Sequence, residues 1–255
     1  MIDIHSHILH NVDDGPKSKE EAIEMLEQAV QEGISEIIST SHALSPQYNV
    51  AAQTVEKQVK TLQEEMMLRQ IPLKIHVGHE VRLRDDLVQL LKEKKIYTLA
   101  NSKYLLLELP SGEVPHYTVN MIHALLSEGI QPVIAHPERN RAIADKPSRL
   151  AKLISQGAIA QVTAGSLAGH FGRTIQKLCL ELVDANLVHC YGSDVHNLST
   201  RPFKFDVGLR YLEKHKRLDA VDLFLENNAR IAEDGDVIIL EPEDLQTRKW
   251  YNFFS

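Results

Sequence analysis

Met1-Ile-Asp-Ile-His5-Ser-His7 opens the chain as a short apolar strand that ends in a His-x-His pair. Side chains two apart on an extended strand project to one side, so His5 and His7 offer two imidazoles together, half of a metal site. Two strand histidines alone are equally compatible with solvation or ordinary hydrogen bonding. Their weight comes from the rest of the chain, where further β-branched and apolar runs also end in a histidine or a carboxylate.

Strand-like runs lie at 2–5, 36–40, 74–78, 104–109, 132–135, 158–163 and 187–191. Amphipathic, helix-like stretches lie between them, at about 18–33, 50–70, 85–95, 117–129, 146–156, 171–186 and 203–228. Ser18 followed by Glu21 reads as a capping box for the first helix, and Gly33 stands where that helix must stop in the left-handed region. Strands alternating with helices imply a parallel sheet, either open and doubly wound or closed into a barrel. Repeats, low-complexity tracts and Gly/Ser linkers are absent, so residues 1–255 read as a single domain. Residues 237–255, from Val237-Ile-Ile-Leu to Trp250-Tyr-Asn-Phe-Phe, form an apolar and aromatic tail expected to pack on the body or on a partner.

Bulk composition excludes several classes. The chain of 255 residues is 43% hydrophobic and 25% charged, an ordinary globular profile. A net charge of −7 and a pI near 6.0 leave no basic track for nucleic acid. No apolar run approaches the roughly 20 residues of a membrane span, and the amino terminus lacks a basic segment followed by an apolar one. A cytoplasmic location without membrane insertion is the expectation. Cys179 and Cys190 sit in apolar surroundings and are expected to be buried and reduced.

The strand ends supply His5 and His7, His42, Glu80, Glu108, His136, and finally Asp194 and His196. They recur about once per strand–helix unit, with one double interval before Asp194. In barrels this C-terminal rim is where reactive groups gather, because the loops above it vary freely. One histidine at a strand end is usually structural; a whole register of metal-capable side chains points to a metal site. Five imidazoles with carboxylates and no thiolate suit Mn, Fe or Zn better than Mg or Ca. The set is too large for one ion, so two or three are implied, with Glu80 and Glu108 as natural bridges. Asp14, in Asp13-Asp14-Gly15-Pro16, reads as a turn residue about as readily as a ligand.

Divalent ions a few Å apart acidify a shared water and attract anions such as phosphate esters. Arg139 in His136-Pro-Glu-Arg and Arg201 in Asp194-Val-His-Asn-Leu-Ser-Thr-Arg follow ligand-bearing strand ends, and arginine suits bidentate phosphate recognition. Each could equally be a surface cation. Other phosphatase chemistries fail: six positions beyond Cys179 and Cys190 stand Ala185 and His196 rather than arginine, and Asp234-Gly-Asp236 follows no apolar strand. Gly165-Ser166 and Gly169/Gly172 lack the Gly-Lys-Ser/Thr ending of a P-loop. The remaining histidines read as solvated or core-satisfied, with His79 beside Glu80 and His116 at the rim as the two exceptions to watch.

The ordered set His5-x-His7, Asp14, His42, Glu80, Glu108, His136 and Asp194-x-His196 resembles the PHP (polymerase and histidinol phosphatase) superfamily. Asp3-Ile-His-Ser-His7, Asp13-Asp-Gly-Pro16, Ser41-His42, Gly78-His-Glu80, Leu107-Glu108, Ala135-His-Pro-Glu-Arg139 and Gly192-Ser-Asp-Val-His196 are similar to its CpsB/CapC/YwqE type, the manganese-dependent protein tyrosine phosphatases of bacterial capsule and exopolysaccharide systems. The likeness covers nearly the whole chain, least clearly beyond 237. It implies a distorted (β/α)7 TIM-like barrel and a trinuclear site. One ion would take His5, His7, Glu80 and Asp194, a second Glu80, Glu108 and His136, and a third Asp14, His42 and His196, which moves Asp14 from turn to ligand. Arg139 and Arg201 match the positions expected to hold phosphate.

The resemblance further implies Mn2+, with Fe or Zn sharing the same donors, and phosphotyrosine proteins as substrates, among them an autophosphorylating bacterial tyrosine kinase whose control regulates capsule and exopolysaccharide synthesis. The alternative is a small-molecule phosphatase of the histidinol-phosphate type, with the same metals in a closed pocket. A third possibility is a metal-stabilised binding partner of the kinase with little turnover.

Overall fold

The structure is a computed structural model in which residues 1–243 are described. These residues form nine strands: β1 (Ile2–Ser6), β2 (Glu36–Ser39), β3 (His42–Ala43), β4 (Lys74–His76), β5 (Glu80–Arg82), β6 (Tyr104–Glu108), β7 (Gln131–Ala135), β8 (Ile159–Thr163) and β9 (Cys190–Gly192). Around them run α1 (Lys19–Gln31), α2 (Ala52–Leu68), α3 (Leu87–Lys92), α4 (Thr118–Ser127), α5 (Arg141–Asp145), α6 (Ser148–Ser155), α7 (Ala164–Leu167), α8 (Arg173–Asp184), α9 (Phe205–Lys214) and α10 (Leu218–Ala232). No helix among the described residues is long and apolar enough to cross a membrane.

All strand pairings are parallel. One sheet has the order β1-β2-β4 and the other β3-β5-β6-β7-β8-β9. The two are joined where β2 runs on into β3 and β4 into β5, with Glu80 N donating to Thr40 O at 3.1 Å. At the other margin β1 meets the segment after β9 through a parallel bridge between Ser6 and Val195. His7 N donates to Val195 O at 2.9 Å and Asp194 N to His5 O at 2.8 Å. The whole is a curled, parallel α/β sheet.

Period-two alternation assigns the faces. On β6, Leu105 and Leu107 join the outer core under the helices, whereas Tyr104 and Leu106 join an inner cluster with Ile4, Ile38, Val133, Ile159 and Cys190. Leu99, Ala135 and Ile231 complete that inner cluster. Glu108 follows Leu106 on the inner face, one step above an apolar floor. Cys179 and Cys190 are buried and unpaired.

Three local differences from the sequence reading have simple causes. The runs at 36–40 and 74–78 each break and resume as β3 and β5, strands of two and three residues too short to show periodicity. Gly78 permits the second break, since a Cβ there would stand 2.8 Å from Ile38 Cγ2. The single helix expected over 203–228 is two, α9 and α10, separated at Lys216 with φ of 62°. At the start of α1 the Ser18 side chain accepts from Glu21 N as expected, but the Glu21 carboxylate accepts from Lys17 N rather than closing the box on Ser18. Of the tail, residues 237–243 lie on the body: Asn227 exchanges hydrogen bonds with Ile238, and Glu243 N donates to Ala185 O. The expectation for 244–255 falls outside the described residues.

Candidate metal centre

Glu108 ends β6, and His136 and Asp194 stand just past β7 and β9, whereas His42 and Glu80 open the short strands β3 and β5 just beyond the breaks after β2 and β4. Two of these positions are strained: His136, after β7, has φ of 31°, and Asp194, after β9, has φ of 53°. Non-glycine residues in the left-handed region cost about 1–3 kcal/mol and gather at functional sites. The turn carrying Asp13 and Asp14 folds back against β1, and Gly15 allows this, because a Cβ there would stand 2.8 Å from His7 O.

All nine residues expected from the strand ends and the 13–14 turn come together. They fall into four overlapping groups whose donor atoms lie within 4.8 Å of one another: His7, Asp14, His42 and His196; His5, His7 and Glu80; His5, His136 and Asp194; and His42, Glu80 and Glu108. The partition differs in detail from the expected one. Asp194 groups with His5 and His136, and Glu108 with His42. Glu80 stands at the centre: Oε2 lies 3.5, 3.3 and 3.1 Å from His5 Nε2, His7 Nε2 and His42 Nδ1, and Oε1 lies 2.6 Å from His136 Nε2.

Three histidines are held in one tautomer from behind. Nδ1 of His5 faces Gln161 Oε1 at 2.9 Å, Nδ1 of His7 faces Asp13 Oδ2 at 3.1 Å, and Nδ1 of His196 faces the Asp194 carbonyl at 3.0 Å. A proton on each Nδ1 leaves the Nε2 lone pair free, the arrangement that orients metal-ligating imidazoles. The Nε2 atoms of all three are buried without a hydrogen-bond partner, as are His42 Nδ1, Asp14 Oδ1 and Asp194 Oδ1. Six orphaned donor atoms converging in one place are costly unless something binds them. A divalent cation fits that donor set.

Asp194 faces two ways. Its Oδ1 lies 3.3 Å from His5 Nε2 and 3.6 Å from His7 Nε2, while Oδ2 accepts from Arg139 Nη1 at 2.5 Å and Arg201 Nη2 at 2.8 Å. Arg201 Nη1 also reaches Asp14 Oδ2 at 3.3 Å. Both expected arginines therefore border the donor cluster on the same carboxylate. Arg139 also lies over the Phe171 ring, 5.2 Å from its centroid.

The charges are coupled. Burial disfavours a charged His7, yet the Asp13 hydrogen bond and the negative charges of Asp13 and Glu80 overcome it and raise its pKa to about 10. Burial likewise opposes a charged His5, and Glu80 and Asp194 outweigh it, so its pKa is raised. Burial, with the neighbouring His7 charge, lowers His196 to about 4. The Glu80 and Asp194 carboxyls are depressed despite burial, Glu80 by the charges of His5 and His136 and Asp194 by those of Arg139 and Arg201. At neutral pH a cation entering this cluster must displace a proton from His7. Calorimetric titration of metal into the stripped protein, in buffers of different ionisation enthalpy, is expected to register release of at least about one proton per chain, with affinity falling as pH is lowered. Binding without proton release would contradict this electrostatic account.

Several participants carry only weak signals in the sequence. Asp13 and Gln161 back the histidines. Arg82, the cross-strand neighbour of Glu108, pairs with it at 3.0 Å. A glutamine inside the buried run Ile159-Ala-Gln-Val-Thr163 and an arginine two residues beyond Glu80, on its face, were the available signals. His79 is core-satisfied: Nε2 donates to Val50 O, Nδ1 accepts from Tyr97 N, and burial lowers its pKa to about 4. His116 is exposed, edge-on to Tyr117.

The sequence pattern of the capsular polysaccharide synthesis family CpsB/CapC matches residues 1–233. CapC of Staphylococcus aureus is 38% identical over 256 residues, 98% of this chain and 99% of that one. The tyrosine-protein phosphatase YwqE of Bacillus subtilis is 37% identical over 254 residues, all of both chains. A crystal structure from work on YwqE and on CpsB of Streptococcus pneumoniae, described as metal-dependent tyrosine phosphatases, superposes with a TM-score of 0.93 at 37% identity, over 95% of this chain and 98% of that one.

Proposed function

The chain belongs to the CpsB/CapC family, and from that premise we propose that it is a metal-dependent tyrosine-protein phosphatase serving capsule and exopolysaccharide synthesis. The observation that carries the reading is the convergence of buried, unpartnered Nε2 atoms of His5, His7 and His196 on Glu80, Asp14 and Asp194, beside two arginines on one carboxylate.

The proposed ligands are His5, His7, Asp14, His42, Glu80, Glu108, His136, Asp194 and His196, enough for two or three ions. Manganese is the proposed metal; a donor set rich in imidazole and carboxylate, without thiolate, supports it, and Fe and Zn share those donors. Bound ions supply charge to the phosphoryl oxygens and acidify a water to near-neutral pKa. The chain does the rest. Asp13 and Gln161 keep the imidazoles oriented, Asp194 aims Arg139 and Arg201, and the two guanidinium forks take non-bridging oxygens, gaining strength as charge grows on them in the transition state. A tyrosyl leaving group, with pKa about 10, asks less of an acid than a seryl alkoxide, which favours phosphotyrosine.

An autophosphorylating tyrosine kinase as substrate, a cytoplasmic location, a seven-stave (β/α)7 barrel counting β2/β3 and β4/β5 as one stave each, and one domain over 1–255 complete the proposal. The test is phosphate release from a phosphotyrosine peptide. Chelator-stripped protein is expected to be inert, Mn2+ to restore turnover, and His136→Ala to lower kcat/KM by about 10²-fold. Full activity in the His136 variant would remove the metal mechanism, and turnover of histidinol phosphate in place of the peptide would overturn the substrate.

A further inference from the structure

Between His136 and Arg139 stands a carboxylate that this mechanism does not use. Glu138 is fully buried. Its Oε1 accepts from Thr163 N at 3.1 Å and from Thr163 Oγ1 at 2.9 Å, and Thr163 Oγ1 lies 2.8 Å from Ser166 Oγ. Its Oε2 has no hydrogen-bond partner. A buried carboxylate with one bare oxygen is expensive, and an apolar residue would pack there at less cost.

The geometry gives it a use. The turn Pro137–Arg139 leaves β7 through His136 in a left-handed conformation that the surroundings must enforce. On its far side the turn is tied outward, since Asn140 Nδ2 donates to Pro110 O at 2.7 Å and Glu113 O at 2.9 Å. On its near side the tie among the described residues is Glu138 to Thr163, the last residue of β8. Among the described residues Arg139 itself has one direct ionic partner, Asp194, whose other oxygen belongs to the donor cluster. Any adjustment of Asp194 toward a cation would loosen that grip, and the Glu138 tether does not depend on it.

We propose that Glu138 is a positioning residue: its carboxylate, anchored on Thr163 at the end of β8, holds the Pro137–Arg139 turn so that the Arg139 guanidinium faces the phosphoryl group. This rests on the phosphatase reading, and it predicts an effect on phosphate affinity rather than on metal content. Asp194 and then Glu138 and Glu80 also strengthen the Arg139 charge against its burial.

The test uses manganese-loaded protein and inorganic phosphate, with affinity measured by calorimetry and by competitive inhibition. Glu138→Ala and Thr163→Val are each expected to weaken phosphate binding about tenfold and to raise KM for a phosphotyrosine peptide in parallel, with bound manganese unchanged. Glu138→Gln, which keeps an acceptor for Thr163, is expected to stay within about threefold of the parent. The Ala/Val double variant should lose no more than either single one, because both remove the same tie. Parental phosphate affinity in Glu138→Ala, or additive losses in the double variant, would overturn the proposal. If Glu138→Ala does not fold, parental affinity in Thr163→Val has the same force. Failure of the parent to hydrolyse the peptide while still binding phosphate would count against the phosphatase reading alone.

Discussion

Asp194→Asn is expected to lower kcat/KM on a phosphotyrosine peptide by about 10⁴-fold. The carboxylate has one oxygen on the donor cluster and the other on both arginines. The amide keeps the shape but can satisfy only one side. With oxygen toward His5 and His7, its NH2 meets two guanidinium groups; flipped, it presents an NH2 to the incoming cation. Loss of a proposed metal ligand and displacement of the two arginines proposed to bind phosphate are each worth orders of magnitude. The backbone gives the experiment its force, because φ of 53° is a conformation asparagine adopts readily, so the variant should fold. Steady-state kinetics with metal analysis check the outcome, and retention of a tenth of parental activity would sink the assigned role of Asp194.

Arg139→Ala and Arg201→Ala are each expected to cost about 10²–10³ in kcat/KM and to weaken inhibition by inorganic phosphate, at unchanged metal stoichiometry. Of the two, Arg139 should matter more. It is held by Asp194 at 2.5 Å and flanked by Phe171, whereas Arg201 divides its donors between Asp194 and Asp14. Arg139→Lys is expected to recover little, since an ammonium cannot bond Asp194 and grip two phosphoryl oxygens in one plane. Phosphate inhibition unchanged in both alanine variants would show that the arginines serve only to neutralise Asp194.

Much of this centre is legible in the sequence, for a definite reason. In a parallel sheet such residues gather just beyond the apolar run of each unit, so His42, Glu80, Glu108, His136 and Asp194 announce themselves one unit at a time, although His42 and Glu80 open the short strands β3 and β5 rather than ending β2 and β4. Asp14 does not, because it reaches the cluster from a turn laid back on β1, and turn chemistry accounts for the same letters. The supporting residues are harder still. Gln161 and His5 are partners 156 positions apart, and Arg82 finds Glu108 only through strand register. The strands β3 and β5 were invisible because two or three residues cannot display a period. The split at Lys216 was hidden by a polar stretch that suits helix and turn alike.

The bridge between Ser6 and Val195 carries one more consequence, for biosynthesis. The donor cluster draws on residues 5 to 196, so the loop that must close to assemble it spans roughly 190 residues, an entropic cost of about 5 kcal/mol before any local contact repays it. Ions held by both margins would act as a clasp on that seam, and the donor cluster is complete only once the segment bearing His196 has folded back. A chain that ends before Asp194 and His196 would therefore carry only part of the donor cluster.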